Sequence, residues 1–157
     1  MTGSGRSNGC IPEGLPAALS SLTTSIEIAT PGRGFQEISA ELQQAVRQSG
    51  VAAGLCHVFL RHTSASLLLT ENADPDVRRD LERFMSRVAP DGDPAYVHSA
   101  EGPDDMPAHI RAVLTCAELT IPVREGRLAL GTWQGAYLWE HRRRPHRRRL
   151  DITIIGV

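Results

Sequence analysis

Leu22, Ile26 and Ile28 alternate with polar residues within Ser20 to Ile28, the two-residue period of a strand with one buried face. Pro31-Gly32-Arg33-Gly34 reads as a turn. Ile38, Leu42, Ala45 and Val46 then recur at helical spacing, and Gly50 is placed to close that helix. Leu55–Leu60 and Ser66–Thr70 are apolar and strand-like. Asp74-Pro75 sets a capping carboxylate before a proline at the first helical position. That helix runs to about Arg87, with Val77, Leu81, Phe84 and Met85 as its apolar stripe. Pro90 to Pro94 reads as a loop and Tyr96 to Ser99 as a short extended segment. A second short helix follows from Asp105 to Leu114, with Ile110, Val113 and Leu114 facing inward. Leu119–Val123, Arg127–Leu130, Gly135–Glu140 and Leu150–Val157 read as strands, with Glu125-Gly126 as the hairpin turn between the first two.

The order β–α–β–β–α–α–β–β–β–β predicts an α+β fold, a single compact domain with a mixed, mainly antiparallel sheet and two or three helices. The closing strands are too near one another in sequence for helical crossovers. Residues 1–17 are rich in Gly, Ser and Pro and read as a disordered tail, leaving 18–157 for the domain.

Composition removes several classes of function. The 157 residues are 41% hydrophobic and 22% charged, ordinary for one globular domain. No apolar run approaches the ~20 residues of a spanning helix, so no membrane partner is expected. The start lacks a secretory hydrophobic stretch, and a cytoplasmic protein is the expectation. All 17 basic residues are arginine. Schiff-base chemistry and a P-loop lysine are thereby excluded. Cys10, Cys56 and Cys116 form no CxxC pair, which favours neither a disulfide framework nor a thiolate zinc site.

Five segments carry candidate chemistry. Arg61-His62-Thr63-Ser64-Ala65-Ser66 puts an imidazole among small hydroxyls at a strand end, where it either serves a site or is a satisfied core histidine. His98 and His109 bracket an acidic loop with Asp104 and Asp105, a donor set for a divalent ion or else a set of helix-capping acids. In Gly131-Thr132-Trp133-Gln134-Gly135 the glycines suggest close backbone approach, with Trp133 a stacking wall or an interface residue and Gln134 a hydrogen-bonding edge. Asp74 and Asp76 suit magnesium, or simply the helix start. Arg142, Arg143, Arg144, Arg147, Arg148 and Arg149 lie in one run that reads as a solvated hairpin loop, with no specific nucleic-acid binding expected.

From about Ser20 to Val157 the chain resembles the YjbQ family, also described as the secondary thiamine-phosphate synthase family. The resemblance rests on His62-Thr63-Ser64-Ala65-Ser66, Glu71-Asn72-Ala73-Asp74-Pro75-Asp76-Val77, Glu101 through Ile110, Leu119-Thr120-Ile121-Pro122-Val123 and Gly126 through Gly135. It implies a compact α+β domain assembling as a homotrimer with its site near subunit contacts. The implied activity joins a hydroxymethylpyrimidine pyrophosphate to a thiazole phosphate with release of pyrophosphate, as a physiological or a side activity of a transferase. By resemblance His62, His98 and His109 become a divalent-metal cluster, for zinc or magnesium. His62, Asp105 and Glu140 stand as catalytic candidates. Arg61, Thr63, Ser64, Asp74, Asp76, Trp133 and Gln134 are candidate contacts to a small phosphorylated substrate. A metal-dependent hydrolase and a non-catalytic metal- or ligand-binding trimer remain the alternatives.

Overall fold

The computed structural model describes residues 18–157. The expected tail at 1–17, with Cys10, lies outside the described residues. The elements are β1 (Ser20–Thr30), β2 (Gly34–Glu37), α1 (Ser39–Ser49), β3 (Ala53–Leu60), β4 (Ala65–Glu71) and α2 (Pro75–Val88), followed by α3 (Asp105–Leu114), β5 (Glu118–Arg124), β6 (Arg127–Leu128), β7 (Gln134–Glu140) and β8 (His146–Gly156). They form a five-stranded sheet ordered β1-β8-β3-β5-β6 and a three-stranded sheet ordered β2-β7-β4. Every one of these strand pairs is antiparallel. The α+β expectation holds, with two sheets in place of one.

The core lies between the large sheet on one side and α1 and the small sheet on the other. Leu42, Ala45 and Val46 of α1 meet Val58, Leu60, Ile152 and Ile154 of the large sheet, while Leu67 and Leu138 enter from the small one. Gly50 ends α1 in the left-handed conformation, φ 70°. Glu125 and Gly126 both take positive φ, the geometry of a tight hairpin between β5 and β6. Gly54 and Gly156 sit opposite each other across β3 and β8. A Cβ on Gly54 would lie 2.1 Å from the Ile155 carbonyl oxygen, so the strands close only because both positions lack one.

Four sequence expectations are corrected. Residues 34–37 form an edge strand, β2, too short for its alternation to be read. Tyr96 to Ser99 forms no strand. In α2 only Met85 of the expected stripe is buried, and Phe84 is 54% exposed. The helix docks instead through Arg78 to the Tyr137 hydroxyl and Glu82 to the Trp139 indole N–H. These positions, with Met85 and Ala89, form a stripe rotated by one residue from the apolar one. α3 likewise turns Asp105, Ala108 and Arg111 inward and leaves Val113 and Leu114 exposed. Both helices bind by polar side chains, which an apolar-face rule cannot anticipate.

The arginine run is loop only at 142–145 and closes no hairpin, because β7 and β8 lie in different sheets. Arg147, Arg148 and Arg149 belong to β8, and of the six only Arg142 and Arg148 are withdrawn from solvent. Arg142 pairs with Asp104 and Asp105, Arg143 with Asp91, Arg147 with Glu27, Arg148 with Glu140 and Arg149 with Asp151. No helix is long and apolar enough to cross a membrane.

Candidate functional site

Asp105 and His109 lie one turn apart at the start of α3, so both side chains project from one helix face. His98 reaches the same point from the preceding loop. Its Nε2 is 2.7 Å from Asp105 Oδ2, and His109 Nε2 is 3.4 Å from that same oxygen. One ligating atom from each of the three lies within 4.8 Å of the others. Ligands ~2.0–2.1 Å from a tetrahedral zinc ion would sit about 3.3 Å apart, close to these separations.

The donors are oriented from behind. His109 Nδ1 lies 3.0 Å from the Thr63 carbonyl oxygen, which can only accept, so Nδ1 carries the proton and Nε2 is the free lone pair of the neutral ring. A lone pair facing a carboxylate oxygen at 3.4 Å is unfavourable unless a cation lies between them, a proton or a metal ion. Arg142 holds the other carboxylate oxygen, Asp105 Oδ1, and donates 2.7 Å to the Glu101 carbonyl. Asp104 accepts from the Arg143 backbone N–H at 2.8 Å and from Arg142 Nε at 3.2 Å. Burial alone would push its carboxyl up, but these donors hold it below the usual carboxylate range. The loop entering α3 is therefore pinned to the chain after β7, and His98 borders a recess of about 390 Å³ with Pro94, Tyr96 and Pro103.

His62 does not join this group. Its Nε2 accepts the Arg149 backbone N–H at 2.8 Å, so the expected three-histidine cluster is replaced within one chain by two histidines and Asp105. His62 stays a neighbour, because Thr63 carries the carbonyl that orients His109. Arg61 is paired with Asp151, and the Ser64 hydroxyl accepts from Arg148 at 3.1 Å.

Glu140 is fully buried. One oxygen takes the Thr30 hydroxyl and Arg148 Nε, at 2.8 and 2.7 Å, and the other takes the Arg142 N–H and Arg148 Nη2. With both oxygens committed and no path to a substrate, the expected catalytic role gives way to that of a counter-ion. Asp74 caps α2 through the Asp76 N–H at 2.8 Å, and Asp76 pairs with Arg79, so the helix start accounts for both.

Trp133 is 64% exposed. With Thr70, Glu71, Ala73 and Gln134 it bounds a recess of about 620 Å³. Gln134 turns its side-chain oxygen back on the Gly131 N–H at 2.9 Å, stabilising the turn before β7. This recess flanks the Glu71 end of β4, and the metal-ligand group flanks the Ala65 end. At ~3.3 Å per residue the strand separates them by about 20 Å, so one small ligand cannot touch both within a chain. Arg142 and Arg148, which organise the metal-ligand end, were hidden in the arginine run. The one legible signal was its unusual density before a closing strand.

The sequence profile described as UPF0047 protein YjbQ-like matches residues 24–157. The chain is 53% identical over 129 residues to UPF0047 protein sll1880 of Synechocystis sp., covering 82% of this chain and 88% of that one. To UPF0047 protein YjbQ of Escherichia coli O157:H7 it is 44% identical over 133 residues, covering 84% and 96%. Among solved structures, an uncharacterized conserved protein of the yjbq/upf0047 family from Clostridium acetobutylicum superposes with a TM-score of 0.73 at 36% identity, covering 85% of this chain and 98% of that one. A YbjQ-like protein of unknown function from Sulfolobus solfataricus P2 shares the fold with a TM-score of 0.81 at 24% identity, covering 89% and 100%.

Proposed function

The chain belongs to the YjbQ-like UPF0047 family, and from that starting point we propose that it is an enzyme of small phosphorylated molecules using a divalent metal held by His98, Asp105 and His109. The observation that carries this reading is the convergence of two imidazoles and one oriented carboxylate on a single point. Two nitrogen donors and one oxygen suit zinc or manganese better than magnesium. A bound ion would supply Lewis-acid stabilisation to a phosphoryl or carbonyl oxygen. The protein's own residues do the rest. Thr63, through its backbone carbonyl, and Arg142 orient the ligands.

The transfer reaction on a pyrimidine pyrophosphate and a thiazole phosphate is the first named candidate. Metal-dependent hydrolysis of a phosphate ester is the second, favoured because imidazole ligands are not needed for that transfer. Turnover of each substrate class should require added metal. Asp105→Asn and His109→Ala should each lose bound zinc and at least ~100-fold in turnover while keeping the wild-type circular dichroism spectrum. Unchanged metal content in both variants would sink the metal centre. Stoichiometric metal with no turnover on either class would replace the enzyme with a metal-binding protein.

Assembly as a trimer belongs to the same reading. Leu55 and Phe59 of β3 and Ile155 of β8 are exposed on the outer face of the large sheet, and Leu55 pairs with Ile155 and Pro122. A second copy covering this patch would remove it from water. Phe59→Asp is expected to shift the mass measured by light scattering toward the monomer. A wild-type monomer, or a variant of unchanged mass, would refute the assembly.

A further inference from the structure

We infer that the neutral His62 ring offers its Nδ1–H to an oxyanion of the ligand bound beside the His98–Asp105–His109 group, serving as a hydrogen-bond donor and neither as metal ligand nor as general base. The inference rests on the metal-centre reading for its location, and on the chain's own hydrogen bonds for its chemistry.

A backbone N–H can only donate. The Arg149 N–H at 2.8 Å from His62 Nε2 therefore demands a lone pair on that nitrogen. The neutral ring must then carry its proton on Nδ1, and protonating Nε2 would set two donors against each other. Burial, and then the Arg148 guanidinium, lower the ring's pKa, outweighing the opposing pull of Glu140. The contact is built by strand register: β8 begins at His146, so Arg149 presents its N–H where β3 has ended and the chain turns. Arg148 fixes the turn from the other side through the Ser64 hydroxyl and carbonyl.

What remains of His62 faces outward. The ring is half-buried, and its Nδ1 has no hydrogen-bond partner among the described residues. Arg61 and Arg149 flank it and share the single carboxylate of Asp151, leaving an excess of positive charge. Thr63, the next residue, orients His109 through its carbonyl, so the donor and the metal-ligand group adjoin. An oxyanion such as a phosphoryl group meets a neutral N–H and a net cationic rim at this place.

The test separates the two nitrogens. Asparagine keeps a donor near the Nδ1 position, whereas glutamine keeps an acceptor near Nε2 for Arg149 and lacks the donor. Inorganic phosphate is titrated into zinc-loaded and zinc-free protein, and zinc alone into each variant. His62→Gln and His62→Ala are expected to weaken phosphate binding ~10-fold or more, while His62→Asn stays near wild type. All three should take up zinc as wild type does. Nitrogen-15 spectra at pH 7 should show the ring proton on Nδ1. Phosphate binding that is unchanged in His62→Gln, zinc loss in that variant, or a proton on Nε2 overturns the inference. Absence of zinc uptake by the wild type overturns the metal centre instead, and a His62-dependent phosphate site without zinc would leave the donor role standing.

Discussion

Arg148→Met should destabilise the protein by about 3–5 kcal/mol, the cost of leaving a buried charge without its partner. Glu140 is fully buried and Arg148 only 4% exposed. Burial raises the Glu140 carboxyl, but Arg148, the Arg142 N–H and the Thr30 hydroxyl together hold it below the ordinary carboxylate range. Removing the guanidinium leaves an anion in the core with only neutral donors. The expected fall in melting temperature is about 10 °C for a chain of this size. The double variant Glu140→Leu/Arg148→Met removes both charges and should recover most of the loss, because a buried pair contributes little net stability over apolar residues of similar volume. Thermal and urea unfolding of the single and double variants decide the matter. A single-variant loss below about 1 kcal/mol, or a double variant no better than the single, would show that the pair is hydrated and not buried.

That pair also explains why the site was only partly legible. Asp105 and His109 announce themselves as an i, i+4 pair at a helix start, and His98 lies seven residues before Asp105. Placing His62 with them followed the family resemblance, which carries residue types and not hydrogen-bond partners. Only the register of β8 shows that its Nε2 is engaged by Arg149. Glu140 looked like a strand-end acid, yet one chain position cannot reveal that Thr30, Arg142 and Arg148 surround it. The strands and caps were readable because their causes are local: alternation in β1, Asp74-Pro75 before α2, Gly50 after α1. The inward faces of α2 and α3 were misread because their partners are charged, and charge pairing across 29 residues, as between Glu82 and Arg111, leaves no periodic trace.

The polar layer between the small sheet and these helices makes structure and acid tolerance one question. β7 alternates Leu138 toward the core with Tyr137 and Trp139 toward α2, and the chain just beyond it buries His141 completely. The ring tilts against Trp139 with centroids 5.1 Å apart, and Nε2 meets the Ser66 hydroxyl at 2.9 Å. Nδ1 has no partner. A second proton would thus be buried without an acceptor, close to three guanidinium groups.

Acidification should consequently unfold the wild type through His141 before its carboxylates titrate. Burial, and then Arg111, push this imidazole down to about 3, with Arg33 and Arg148 acting the same way and Glu140 opposing them. The unfolded chain takes up the proton near pH 6.5 and the folded one does not, so stability is unaffected above about pH 6.5 and declines as the pH falls toward 3. Between pH 7.5 and pH 5 the linkage amounts to about 2 kcal/mol, and over the whole window to about 4–5 kcal/mol. His141→Gln retains a polar group for Ser66 and cannot ionise. Its stability at pH 7.5 should drop modestly, while the further loss on going to pH 5 should be about 2 kcal/mol smaller than in the wild type. The two proteins share every other side chain, so the difference isolates His141. Urea unfolding at the two pH values measures it, and parallel losses in both proteins would mean that His141 is protonated in the folded state, with water or a carboxylate reaching Nδ1.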